Sequence, residues 1–163
     1  MYHTVQLFDL DFISAPNFTN IVDNIIDYQH TLDSENKLPF VITPNADQIV
    51  KLAQPEHKIL KAKLSKAQFI LPDGQPIVWF SRIVRKPLKA RLTGSDLFPL
   101  LWRKIKLQQQ KILVVTSDET IGLKLKQDYA NIVYYTPPFF EANTPLQEKI
   151  AQRYCERDQK ISA

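Results

Sequence analysis

Apolar residues along this chain alternate between two periodicities. Residues 3–8 alternate as a strand does, and Phe18, Ile21, Val22, Ile25 and Leu32 then recur at helical spacing, which predicts an amphipathic helix over 17–32. Ser34-Glu35-Asn36-Lys37 is a polar connection to a buried strand over 39–43, and Pro44-Asn45 breaks that strand. Asn45 is a good N-cap for the short helical face made by Ala46, Ile49, Val50 and Ala53. Pro55 suits the first turn of a further helix with Ile59, Leu60 and Leu64, because its missing N–H is not needed there.

Residues 68–71 form the next strand, with Pro72-Asp73-Gly74 as its exit turn. Ile77, Val78, Ser81 and Ile83 fit a short helix started by Pro76, and Ser95 or Thr93 caps a helix whose apolar side is Leu97, Leu100, Leu101 and Ile105. The clearest strand spans 111–115. Thr116-Ser117-Asp118-Glu119 after it fits a capping box, and Ile121, Leu125 and Tyr129 form the helical stripe beyond, with Gly122 as a close packing point. A strand over 132–135 closes at Pro137-Pro138, and Thr144-Pro145-Leu146-Gln147 opens a last helix. Strands and helices alternating in this way predict an α/β fold: an open, mainly parallel, Rossmann-like sheet with helices on both faces and right-handed crossovers. There is no internal repeat or low-complexity linker, so a single domain over 1–163 is expected.

Composition narrows this picture only slightly. The 163 residues are 44% hydrophobic, enough for a sizeable core, and no apolar run approaches the roughly 18 residues of a membrane-spanning helix. The first residues lack the basic flank and long apolar segment of a signal peptide, so a cytoplasmic location is expected. Cys155 is the one cysteine, which excludes an internal disulfide. The net charge is +4, and the basic residues fall in three groups. The first and third read as solvated helix faces. The middle group, Arg82, Arg85, Lys86, Lys89 and Arg91, suits a phosphate-bearing or anionic-membrane partner. Nothing interleaves aromatic and basic residues as a nucleic-acid site would, so no nucleic-acid partner is expected.

Candidate chemistry gathers where glycine is spent. Of three glycines, Gly74 and Gly94 lie in turns about twenty residues apart, each beside a carboxylate, Asp73 and Asp96. Glycine supplies positive φ or close approach to the main chain. Ligands of open α/β sheets bind beyond the carboxyl ends of the strands, where Thr43-Pro44-Asn45, Pro72-Asp73-Gly74 and Thr116-Ser117-Asp118 should converge. The turn Arg91-Leu92-Thr93-Gly94-Ser95-Asp96 opens a helix, whose N–H groups and dipole suit an anion with Arg91 alongside. Two readings stand for each acid: Asp73 bonds its own turn or is catalytic, and Asp96 complements the helix dipole or meets a ligand. Thr43 and Asn45 are likewise a strand end and a cap, or part of a pocket. His3, His30 and His57 show no metal spacing, so neither a metal nor a histidine base is expected.

Taken in order, Val41-Ile42-Thr43-Pro44-Asn45, the strand ending Leu71-Pro72-Asp73-Gly74, Ile77-Val78-Trp79, Arg91-Leu92-Thr93-Gly94-Ser95-Asp96-Leu97 and Thr136-Pro137-Pro138-Phe139-Phe140 resemble the WecG/TagA/CpsF glycosyltransferases, glycosyltransferase family 26. The resemblance implies a bacterial, inverting transferase with no metal or other cofactor. It would move an N-acetylmannosamine-type sugar from a UDP donor to an undecaprenyl-diphosphate-linked N-acetylglucosamine at the inner membrane face, with self-association. By that resemblance Asp73 is the general base, Thr43 and Asn45 are the pocket pair, and Arg91, Thr93, Gly94 and Asp96 lie near donor and diphosphate; Gly74 is a further substrate-binding position. The chain is expected to lack the family's C-terminal strand and basic tail. That length, with the acidic turn at Thr116, keeps a second reading open: a non-catalytic homologue that binds a UDP-sugar or a partner.

Overall fold

The strand expected over 3–8 forms, and a second strand that the pattern does not signal follows it over residues 10–14. In the computed structural model, which describes residues 2–28 and 37–137, β1 (His3–Leu7) and β2 (Leu10–Ser14) pair antiparallel, Leu7 opposite Leu10. The turn residues Phe8 and Asp9 both have positive φ, 55° and 62°. Two-residue hairpins favour such turns because their twist matches the strands, although Asn-Gly normally fills them. Here long-range contacts hold the conformation: Phe8 stacks on Phe80 with ring centroids 4.8 Å apart, and Asp9 accepts from Lys61 Nζ at 2.6 Å. That bond is also the main reason the Asp9 carboxyl lies below its ordinary pKa.

The remaining elements follow the sequence pattern: α1 (Thr19–Ile26), β3 (Leu38–Ile42), α2 (Ala46–Leu52), a 3-10 turn (Pro55–His57), α3 (Lys58–Leu64), β4 (Ala67–Ile70), α4 (Gln75–Ile83), α5 (Gly94–Leu107), β5 (Ile112–Val115), α6 (Glu119–Asp128) and β6 (Ile132–Tyr135). The helix expected over 17–32 is shorter, ending in a cap at Asp27; Leu32 lies outside the described residues. The chain forms two compact units, residues 1–109 and 110–163. Among the described residues the strands pair as a four-stranded sheet, order β1-β2-β4-β3, and a two-stranded sheet, β5-β6.

Within the first unit β2 and β3 both run parallel to β4, and only β1 is antiparallel. Alternation along β2 and β4 sends side chains to two apolar clusters. Phe12 and Ile70 join Ile49 of α2 and Ile77 of α4, while Ile13, Phe69 and Leu71 join Ile21 of α1 and Leu97 of α5. A sheet buried on both faces needs such runs on its central strands. The expectation of an α/β fold with helices on both faces holds.

In the second unit β5 and β6 pair parallel from Ile112 opposite Ile132 to Val115 opposite Tyr135. The capping box expected from Thr116 and Glu119 does not form; Asp118 is the cap, its side chain accepting from Thr120 N at 2.6 Å. Asp118 directly precedes the first helical residue, so its carboxylate reaches those first N–H groups, whereas Thr116 stands two residues further back. Gly122 is the expected packing point, since a Cβ there would run into the ring of Tyr134 on β6. Gly122→Ala gains up to about 1 kcal/mol of helix propensity, but overpacking costs about 1–3 kcal/mol where the neighbour is a ring that cannot fold away. A lower urea midpoint is expected, and Tyr134→Ala in the same chain should relieve it. Pro138, Phe139 and Phe140, the helix expected from Thr144, Cys155 and His30 lie outside the described residues.

Candidate functional site

Because β3 and β4 are parallel neighbours, their chains leave the sheet at the same edge. Backbone bonds continue past the strand ends: Leu71 N donates to Ile42 O at 2.9 Å, and Asp73 N to Pro44 O at 3.2 Å. A third segment is tied to the same edge, Leu92 N donating to Pro72 O at 2.9 Å. The turns at Thr43, Asp73 and Arg91 therefore form one hydrogen-bonded platform, with few soft backbone degrees of freedom between them. Gly94 completes it by close approach, since a Cβ there would stand 2.9 Å from Thr43 Oγ1. The third strand-end turn, at Thr116, belongs to the second unit.

Gly74 sets the position of Asp73. It is the N-cap of α4 with φ 123° and ψ 141°, a conformation that side chains other than glycine rarely adopt. The chain turns there into α4 and leaves Asp73 half-buried at the strand end. Among the described residues the Asp73 carboxylate makes no hydrogen bond or ion pair, whereas a turn-bonding aspartate would spend an oxygen on its own backbone.

The N-terminus of α5 is built from the 91–96 turn. Thr93, buried, is the cap: its Oγ1 accepts from Asp96 N at 3.1 Å and donates to Asp96 Oδ2 at 2.6 Å, with Ser95 Oγ 3.0 Å away. Asp96 Oδ2 also lies 3.8 Å from Arg91 Nη2, both side chains about half exposed. Asp96 thus serves the cap and orients Arg91, while the guanidinium keeps donors for an anion. Asn45 has a similar divided role. Its Oδ1 accepts from Gln48 N and its N–H donates to Gln48 Oε1, both at 2.9 Å, a reciprocal capping box at the start of α2.

Sequence reasoning missed the space beside Thr43. A cavity of about 440 Å³ opens there, lined by Thr43, Gln48, Lys51 and His57 over a floor that includes Leu52 and Leu60. The one signal for Gln48 in the sequence is its place three residues after the cap Asn45, where a capping box puts Gln or Glu. Also missed was Ser14, fully buried at the end of β2, whose Oγ accepts from Lys89 N at 3.1 Å and anchors the loop leading to Arg91. In the second unit Thr116 Oγ1 donates to Asp118 O at 2.8 Å and lies 3.1 Å from Thr136 Oγ1. The Asp118 carboxyl is held below its ordinary pKa chiefly by its bond from Thr120, so it stays anionic at the start of α6.

Residues 5–157 match the model of the Glycosyl transferase WecG/TagA/CpsF family. Two curated relatives carry the name N-acetylglucosaminyldiphosphoundecaprenol N-acetyl-beta-D-mannosaminyltransferase. The protein of Bacillus spizizenii is 28% identical over 155 residues, covering 91% of this chain and 58% of the relative. The protein of Bacillus subtilis is 25% identical over 145 residues, covering 85% of this chain and 56% of the relative. The chain thus spans less than three fifths of the length of these relatives. With the family model matched over most of its length, the chain belongs to the WecG/TagA/CpsF family of glycosyl transferases.

Proposed function

We propose that this chain transfers an N-acetylmannosamine-type sugar from a UDP donor to an undecaprenyl-diphosphate-linked N-acetylglucosamine, with inversion and without a metal. The observation that carries the reading is the Asp73 carboxylate, unpaired among the described residues, on a platform in which the Thr43 and Arg91 segments both bond to the backbone of the Asp73 turn. The names of the relatives supply the acceptor and the sugar.

In a single displacement, Asp73 takes the proton of the acceptor hydroxyl as that oxygen bonds to the anomeric carbon. The bond from that carbon to the donor phosphate breaks at the same time, and UDP leaves with the electron pair. The reacting centre is oxocarbenium-like, as in inverting glycoside hydrolysis. Negative charge on the departing diphosphate is met by Arg91 and the first N–H groups of α5. Thr43, packed on Gly94, and Asn45 border the space for sugar, with the cavity at Gln48 and Lys51 beside them.

The test is an assay with UDP-N-acetylmannosamine and a short-chain lipid-diphosphate acceptor in the presence of EDTA. A disaccharide product of inverted anomeric configuration, formed at a rate the chelator does not change, is expected. Calorimetric binding of UDP without any product would favour the non-catalytic homologue. Retained configuration would remove the single displacement, and inhibition by EDTA would remove metal independence.

A further inference from the structure

Helix α4 is apolar on the wrong side as well as the right one. Ile77, Val78 and Ser81 face the core, yet Trp79 is 57% exposed, Phe80 39% and Ile83 78%. At 100° per residue these three lie on the side opposite the buried stripe, Trp79 and Ile83 one turn apart. A helix apolar on both sides is normally covered on both. Phe80 is braced from beneath by its stacking on Phe8, so the ridge is presented by a fixed support.

The charge around this ridge is of one sign. From Asp73 to Asp96 the intervening chain carries Arg82, Arg85, Lys86, Lys89 and Arg91 and no acidic residue. Arg82, Arg85 and Lys86, at the end of the helix and just beyond, are exposed, and none of them forms an ion pair among the described residues; Lys86 Nζ meets only a carbonyl, Gln6 O, at 3.3 Å. Among the described residues no helix is long and apolar enough to cross a membrane. What α4 offers is the pattern of a surface-lying helix: a tryptophan, a phenylalanine and an isoleucine on the outer side, cations next to them.

We infer that the outer face of α4, with Trp79 and Ile83 inserted and Arg82, Arg85 and Lys86 on lipid phosphates, docks the chain on an anionic membrane surface. Charge selects this occupant over a second copy of the chain. Two such faces meeting about a two-fold axis would bring like charges together, whereas an anionic leaflet neutralises them and accepts the indole at its interface. The helix is capped by Gly74, directly after Asp73, so docking α4 sets the distance of the candidate base from the bilayer surface. This extends the reading of a lipid-linked acceptor, but vesicles free of that acceptor test it separately from transfer.

The experiment is co-sedimentation of the whole chain with phosphatidylglycerol/phosphatidylcholine vesicles and with phosphatidylcholine vesicles. Binding is expected to the anionic vesicles and to weaken as salt rises from about 0.1 M to about 1 M. Arg82→Gln with Arg85→Gln and Lys86→Gln should weaken it about a hundredfold. Trp79→Ala with Ile83→Ala, both solvent-exposed positions, should weaken it about tenfold or more without changing the circular dichroism. In a Trp102→Phe chain, Trp79 emission should shift to the blue on the anionic vesicles alone. No binding to anionic vesicles overturns the inference, as does binding that survives Trp79→Ala with Ile83→Ala. Self-association in the absence of lipid that these two substitutions abolish would assign the face to a second copy and overturn it equally.

Discussion

Asp73→Asn is expected to lower the rate of sugar transfer by about a thousandfold, within the range of about 10²–10⁴ that a positioned base contributes, while the thermal unfolding midpoint stays unchanged. The two halves of this expectation rest on different observations. The rate falls because asparagine cannot accept the acceptor proton. The stability holds because the carboxylate has no hydrogen-bond or ion-pair partner among the described residues, and asparagine has its shape. The Michaelis constant for the donor should change little, since the lost interaction concerns the proton in flight rather than the bound nucleotide. Steady-state kinetics and a melting curve on one preparation decide the matter. Full activity would sink the assignment of Asp73 as base, and a large drop in melting temperature would return it to a turn residue.

Gly94→Ala is expected to cost about 1–3 kcal/mol of stability, the usual range for overpacking, and to lower transfer at least tenfold. The added Cβ stands 2.9 Å from Thr43 Oγ1, too close for ordinary contact, and neither side gives easily. Residue 94 begins α5, and its neighbour Thr93 is fixed by bonds to Asp96. Thr43 follows a strand whose end is pinned at Ile42 O and Pro44 O. Thr43→Ala in the same chain removes the obstructing hydroxyl, so a double-mutant cycle in urea should show most of the stability returning. Activity should not return, because Thr43 itself borders the space proposed for the sugar. Purely additive stabilities would mean that the two residues do not touch.

Most of the fold was legible because periodicity reports burial. The runs in β3, β4, β5 and β6 are short and apolar, and Asn45 and Thr93 mark two helix starts with side chains that bond as caps. What sequence did not reveal depended on distant partners. The hairpin of β1 and β2 has no Gly or Asn at its turn; Phe80 and Lys61, far along the chain, hold it. At α6 both Thr116 and Asp118 are acceptable caps, and only the path of the chain decided for Asp118. In the candidate site, glycine placement pointed to Gly74 and Gly94 for two different reasons that composition cannot separate: a backbone angle in one case and a neighbouring hydroxyl in the other. The division of labour at Asp96, between Thr93 and Arg91, needed coordinates.

The Phe8-Asp9 turn also bears on when the N-terminus folds. Left-handed backbone at two residues with side chains costs about 1–2 kcal/mol each, and an isolated two-stranded hairpin is marginal in water. During synthesis the first fourteen residues therefore emerge before the helix that makes their turn favourable exists. The stacking partner of Phe8 is missing until α4 has been made. β2 likewise has no parallel neighbour until β4 has been made, so the hairpin draws its support from elements that follow it in the chain.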